Sequence, residues 1–116
     1  MSEVTIYHNP RCSKSRQTLD LLKERNIEPS IVLYLETPPD KATLSAIISM
    51  LGIEPRDLLR TSEAEYKEMN LKDKSLGDDD LIEAMVQAPK LIQRPIVLAN
   101  GKAAIGRPPE SVLEII

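Results

Sequence analysis

The spacing of apolar residues changes several times along the chain. Val4-Thr5-Ile6-Tyr7 reads as a short strand. Ser15, Thr18, Leu19 and Leu22 recur every three or four residues, predicting a helix from about residue 13 to 25, and Ser30-Ile31-Val32-Leu33-Tyr34 predicts a second strand. Two strands joined by a helix form a βαβ unit with parallel strands and a right-handed crossover. Thr37-Pro38-Pro39-Asp40 breaks this pattern, after which Leu44, Ile47, Ile48 and Leu51 mark one face of a helix stopped by Gly52. Pro55 suits a first helical turn covering Asp57 to Arg60, and Ser62-Glu63-Ala64-Glu65 reads as a capping box opening a short helix towards Met69. Gly77-Asp78-Asp79-Asp80 starts another helix, with Leu81, Ile82, Met85 and Val86 as its buried face and Pro89 beyond its end.

The last quarter returns to strands. Ile96-Val97-Leu98-Ala99 and Lys102-Ala103-Ala104-Ile105 flank Asn100-Gly101, a strong hairpin signal because both central residues of a type I′ turn need positive φ. Gly106-Arg107-Pro108-Pro109 then leads into a final helix from Glu110 to Ile116. A βαβ unit, a helical stretch, a hairpin and a last helix make an α/β chain of thioredoxin-like arrangement. The expectation is a mixed four-stranded sheet in one domain, residues 1–116, with an all-helical insertion at about 38–90. At 116 residues there is room for one core, and with no Phe or Trp and three Tyr that core must be largely aliphatic. No apolar run approaches the roughly 18 residues of a membrane span, and the N-terminus lacks a signal-peptide pattern, so a cytoplasmic, membrane-free monomer is expected. A net charge of −3 argues against a general nucleic-acid surface, so basic residues with a role should form a local pocket.

The single cysteine, Cys12, falls where the first strand turns into the first helix. Backbone N–H groups without intrahelical partners and the positive end of the helix dipole favour a thiolate there. A surface dipole contributes about 0.3–1 kcal/mol, whereas a thiolate dominant at neutral pH needs its pKa lowered by roughly two units, about 2.7 kcal/mol. Cations must supply the difference, and His8, Arg11, Lys14 and Arg16 are close in sequence. The competing reading, a cysteine buried as a small hydrophobe, fits poorly with polar and basic neighbours on both sides. One cysteine permits no intramolecular disulfide, and Ser15 stands where a dithiol motif carries its resolving cysteine, so a redox cycle must take its second thiol from outside. His8 can act as an imidazolium beside the thiolate or hydrogen-bond within the loop. Ser15, one turn after Cys12, can point its hydroxyl back at the sulfur or serve only as a polar residue near a helix start.

His8-Asn9-Pro10-Arg11-Cys12-Ser13-Lys14-Ser15-Arg16, with Arg94-Pro95-Ile96-Val97 and Ile105-Gly106-Arg107-Pro108-Pro109-Glu110 downstream, resembles the glutaredoxin-dependent ArsC family of arsenate reductases, particularly its short YfgD-like branch. The resemblance spans essentially the whole chain. It implies that Cys12 is the nucleophile, that Arg60, Arg94 and Arg107 bind and stabilise an oxyanion, and that His8 and Ser15 support the thiolate. It further implies arsenate or a similar oxyanion as substrate, glutathione as co-substrate and glutaredoxin as partner, with no bound cofactor and no metal. Base rates favour a trans Arg94–Pro95 bond, since about 5–6% of X-Pro bonds are cis. Thioredoxin-like folds place a cis-proline opposite the active-site thiol, so the resemblance implies cis for Arg94–Pro95, with Pro95 a supporting residue. Asn9–Pro10 is expected to be trans.

The chemistry is consistent with those residues. A thiolate attacking arsenate brings together two negative species, and guanidinium groups offset the repulsion with a permanent charge and a forked donor set. A helix N-terminus offers backbone donors to the same anion. Phosphatase-like arsenate reductases instead place an arginine six residues after the nucleophile, where this chain has Thr18. Two other readings stand beside the reductase. One is a regulator resembling Spx that binds RNA polymerase, although the two-cysteine switch of that group is impossible with Cys12 alone. The other is a glutathione-dependent thiol-transfer enzyme that uses the same cysteine without arsenate.

Overall fold

In a computed structural model, which describes residues 4–116, the chain has a thioredoxin-like α/β fold with a mixed four-stranded sheet. It divides into two compact units, the first running up to Thr37 and from Arg94 to Ile116, the second Pro38–Gln93.

The first unit contains β1 (Val4–Tyr7), α1 (Ser13–Glu24), β2 (Ser30–Val32), then β3 and β4 (Ile96–Ala99 and Lys102–Ile105) of the second half. The sheet order is β2-β1-β3-β4. β1 pairs parallel with β2, Ile6 opposite Ile31, and antiparallel with β3, Ile6 opposite Val97. β3 pairs antiparallel with β4, and Asn100 and Gly101 join them at φ 55° and 73°, as the hairpin reading requires. Period-2 alternation turns Val4 and Ile6 inwards, where they meet Leu22, Val97, Ala99 and Val112 in one cluster. Each such large side chain, once fully enclosed, contributes about 1.5–3 kcal/mol. Tyr34 is also enclosed, so the core is not purely aliphatic.

α1 buries Ser15, Thr18 and Leu22. It stops where Asn26 adopts φ 61°, with its amide on the Lys23 carbonyl and the Ile27 amide on the Leu22 carbonyl, a Schellman ending that folds Ile27 onto the core. β2 is shorter than the apolar run suggested. Beyond Val32 the amides of Glu36 and Thr37 both turn back to the Leu33 carbonyl, which removes Leu33 and Tyr34 from the ladder. The final segment, Pro109–Glu114, is a 3₁₀ helix rather than the expected α-helix. It is a short piece opened by consecutive prolines and closed by an Ile115 amide to Val112 carbonyl bond, enough to seat Val112 against α1 and β4. Among the described residues the cis peptide bonds are Arg94–Pro95, as expected, and Arg107–Pro108, which the sequence reading did not anticipate.

The second unit is helical: α2 (Lys41–Leu51), α3 (Pro55–Leu58), α4 (Ala64–Glu68) and α5 (Asp78–Gln87), followed by a 3₁₀ turn at Pro89–Leu91. Asp40 caps α2 by accepting the Thr43 amide at 2.7 Å, and Gly52 ends it at φ 69°, a left-handed position that glycine adopts without a Cβ penalty. Leu44, Ile47 and Ile48 of α2 are buried, as are Leu81, Ile82, Ala84 and Met85 of α5, and the two helices pack together. Arg56 donates to the carbonyls of Leu71 (2.8 Å) and Asp73 (3.1 Å), fixing the chain after α4. The expected capping box at Ser62 is absent. Glu63 takes the N-cap position without a side-chain cap, its carboxylate lying 3.6 Å from Arg60 Nη1. No helix among the described residues is long and apolar enough to cross a membrane.

Candidate active site

The site is assembled in the first unit, where β1 hands over to α1. The His8 amide continues the ladder to the Val32 carbonyl, and the chain then turns, with the Cys12 amide on the Asn9 carbonyl at 3.0 Å. Asn9 Oδ1 accepts the Arg11 amide at 3.0 Å, an Asx turn that tightens the loop. Cys12 is the N-cap of α1, extended at φ −95°, ψ 124°, and its carbonyl accepts the first helical bond from Arg16. Cys12 is half-buried.

Burial pushes the Cys12 thiol up, but the opposing interactions outweigh it and the pKa lies below the ordinary thiol value. The Ser15 backbone N–H is the strongest of these, followed by the charge of Arg94, the Lys14 backbone N–H and a hydrogen bond from Arg94. The sulfur makes no capping hydrogen bond of regular geometry. The two amides act as oriented dipoles that favour its negative form. Arg107 Nη2 also approaches Sγ, at 3.9 Å, a long and exposed contact that is not among the interactions lowering the pKa. Arg94 and the two amides therefore carry the activation.

His8 and Ser15 support the loop instead of touching the sulfur through their side chains. Ser15 Oγ lies 2.6 Å from His8 Nδ1 and accepts the Asn9 amide at 3.0 Å, all three residues being buried. Burial, with the charge of Lys23 second, lowers the His8 pKa and so disfavours the imidazolium. Of the two readings for His8, the hydrogen bond within the loop is the one observed.

Arg94 and Arg107 are linked. Arg107 Nε donates to the Arg94 carbonyl at 2.9 Å, and the Gly106 amide donates to the Pro95 carbonyl at 2.9 Å. Arg94 Nε is buried and has no hydrogen-bond partner among the described residues. An unpaired buried donor costs about 1–3 kcal/mol, and an arginine held in that state beside a thiol is suited to receiving an anion. Arg60 stands in the other unit, its amide on the Leu91 carbonyl and its guanidinium 3.6 Å from Glu63.

The backbone N–H groups were expected, whereas three contributions escaped the sequence reading: the Asn9 turn, the Thr18 side chain and the close fit of Gly106. A Cβ on Gly106 would fall 2.5 Å from Thr18 Oγ1 and 2.7 Å from Pro95 Cγ, so only glycine fits beside Arg107. A glycine directly after a strand was the available signal. Thr18 in turn donates to the Lys14 carbonyl at 2.8 Å. Among the described residues there is no cluster of three or more His, Cys, Asp or Glu able to hold a metal ion.

Comparison with known proteins places this geometry in context. The family model described as ArsC family matches residues 7–115. The chain is 63% identical over 115 residues to the Escherichia coli K12 protein YfgD, covering 98% of this chain and 97% of that one. It is 48% identical over 117 residues to an arsenate reductase of Neisseria meningitidis serogroup A, covering all of both chains. A solved structure of an arsenate reductase from Vibrio cholerae superposes with a TM-score of 0.96 at 53% identity, covering 98% of each chain.

Proposed function

The chain belongs to the ArsC family, and from that premise together with the Cys12 site we propose that it reduces arsenate to arsenite, using glutathione and glutaredoxin as electron donors. The observation that carries this reading is a thiol whose pKa is lowered beside Arg94, an arginine whose buried Nε has no partner among the described residues. Relatives that share 48% identity over their full length are named arsenate reductase, which supports the choice of oxyanion.

Arsenate binds with its oxygens towards Arg94 and Arg107, and the forked guanidinium donors offset the repulsion between the dianion and the thiolate. Arg60 is assigned as a third oxyanion ligand on family resemblance. The Cys12 thiolate attacks arsenic, an S–As bond forms, and one oxygen takes up protons and leaves as water. The sulfur of glutathione then attacks the adduct. An S–S bond forms to the Cys12 sulfur, the S–As bond breaks with its electron pair left on arsenic, and arsenic(III) departs as arsenite, leaving a Cys12–glutathione disulfide. Glutaredoxin cleaves that disulfide by thiol exchange, its own sulfur taking the glutathione and Cys12 leaving as the thiolate. The external donor is required by the sequence itself, since Cys12 has no partner cysteine in the chain. The same reading takes the protein as a cytoplasmic monomer with no bound cofactor, where reduced glutathione is available.

The test is NADPH oxidation coupled through glutathione reductase, glutathione and glutaredoxin, with and without arsenate. Arsenate-dependent oxidation that disappears in Cys12→Ser supports the proposal. Thiol exchange that proceeds equally without arsenate would replace it with the glutathione-transfer reading.

A further inference from the structure

The buried polar residues among those described are His8, Asn9, Ser15 and Thr18. The first three bond to one another, through Ser15 Oγ to His8 Nδ1 and to the Asn9 amide. Thr18 stands apart from them. Its side chain is fully enclosed, and its hydroxyl donates to the Lys14 carbonyl at 2.8 Å. Stability does not account for it, because threonine is a poor residue for a helix interior and a hydroxyl bonded back to the carbonyl four residues earlier slightly destabilises a helix. The fold nevertheless makes room for that hydroxyl, since a Cβ on Gly106 would lie 2.5 Å from Thr18 Oγ1.

The Lys14 carbonyl and the Ser15 N–H are two ends of one conjugated peptide group. Cys12 is the N-cap of α1, so Lys14 and Ser15 occupy the second and third helical positions, whose amides face the N-cap side chain. We propose that Thr18 is a positioning residue for the nucleophile: its hydroxyl holds and polarises the Lys14–Ser15 peptide from behind, directing the Ser15 N–H at the Cys12 sulfur. A hydrogen bond accepted at the carbonyl strengthens the same group as a donor at its N–H. Ser15 is then fixed twice, at its side chain by His8 and Asn9 and at its peptide by Thr18. The Ser15 amide is also the strongest of the interactions favouring the thiolate, ahead of the Arg94 charge, and Arg107 is the other cation facing the sulfur. The inference rests on the proposed function only in taking Cys12 as the nucleophile.

Iodoacetamide alkylation of Cys12 against pH, in the full chain and without arsenate, tests it in Thr18→Val, Thr18→Ser and Thr18→Ala beside the wild type. Threonine and valine differ by the hydroxyl at equal shape, and serine and alanine differ by the hydroxyl with the methyl gone from both. The second pair adds no atom against Gly106, so Arg107 is not displaced. The alkylation midpoint should follow the hydroxyl. Valine and alanine should raise it, slowing alkylation below the midpoint by about 1.5-fold to fourfold, with the plateau rate at high pH unchanged. Serine should restore the wild-type midpoint although it loses a buried methyl and melts earlier. A midpoint that follows the methyl and the melting temperature, or that is the same in all four proteins, overturns the proposal and leaves Thr18 a packing residue. Absence of arsenate reduction with the hydroxyl dependence intact would instead overturn the arsenate reading alone.

Discussion

α1 and α5 begin in opposite ways. The first turn of α5 carries Asp78, Asp79 and Asp80, and Asp80 reaches back to the Gly77 amide at 3.0 Å. α2 is similar in kind, with Asp40 accepting the Thr43 amide. α1 has no acidic residue in its first turn and starts from Cys12, which makes no side-chain cap. Carboxylates at a helix start satisfy its free amides and its dipole, which stabilises the helix and uses up the site. Where the chain withholds them, the same amides remain available to an ionised sulfur and to an incoming anion. The difference between the helix starts is thus one between stability and reactivity.

Removing the sulfur breaks the comparison most completely. Cys12→Ser should abolish arsenate-dependent NADPH oxidation while leaving the far-ultraviolet circular dichroism unchanged, because no capping bond of regular geometry is lost from α1. The thiolate also ties stability to pH. Folding lowers the pKa of this acid, so its contribution is full above the unfolded thiol value of about 8.5 and fades as pH falls through the lower folded value. The difference in thermal midpoint between wild type and Cys12→Ser should therefore widen as pH rises. Alkylation by iodoacetamide should titrate below about 8.5, and a midpoint at or above that value would remove the case for activation by the α1 amides and Arg94.

Removing the guanidinium groups comes next. Arg94→Ala should lower kcat/KM for arsenate about tenfold to a hundredfold, as expected for losing a charge-assisted contact of about 1.5–3 kcal/mol. Lysine at 94 should restore only part, since it keeps the charge and loses the fork. Arg107→Ala should cost less, because its contact to the sulfur is long and exposed. Arg60→Ala tests the one ligand assigned by resemblance alone, and wild-type kinetics there would remove it from the site.

The contrast between these helix starts was partly legible in the sequence. Spacing alone located α1, the Gly52 stop of α2 and the Asn100-Gly101 turn, because each depends on residues a few positions apart. The partners of Ser15 were not legible. Whether its hydroxyl meets the sulfur or His8 depends on how the loop from Asn9 to Cys12 closes, and the structure gives it to His8 and the Asn9 amide. Gly106 fits between Thr18 and Pro95 only once the sheet has brought distant segments together, and Arg107 is held by a carbonyl that no spacing rule links to it. The β2 end and the closing 3₁₀ helix eluded the pattern for a different reason. Apolar residues there continue past the point where backbone hydrogen bonding changes partner. The cis bond at Arg94–Pro95 came from resemblance, against its base rate, and the second at Arg107–Pro108 had no signal that was used.

Making α1 resemble α5 sharpens the comparison at smaller cost. Ser13 is exposed at the first helical position, so Ser13→Asp adds a carboxylate beside the amides that favour the thiolate. Two effects of opposite sign are expected. The helix gains about 0.3–1 kcal/mol from the dipole, while the Cys12 pKa rises and alkylation at neutral pH slows by about twofold to fivefold, the same energy acting in reverse. A variant that was more stable and equally reactive would show that the α1 amides do not activate the sulfur.

The smallest effect on chemistry should come from the converse change in the other unit. Asp40→Ala removes the cap of α2 and should lower the thermal midpoint by roughly a few degrees, with no change in the alkylation rate of Cys12. The pH dependence identifies the cause. Hydrogen bonds from the Thr43 backbone and then its side chain hold the Asp40 carboxyl below the ordinary carboxylate range. Its contribution is therefore present above the unfolded value of about 3.9 and is lost as pH falls through the lower folded value. The gap in thermal midpoint between wild type and Asp40→Ala should be constant at neutral pH and close in acid. A gap that persisted at low pH would assign the loss to packing at the start of α2, and the carboxylate cap would cease to be the counterpart of the thiolate at the start of α1.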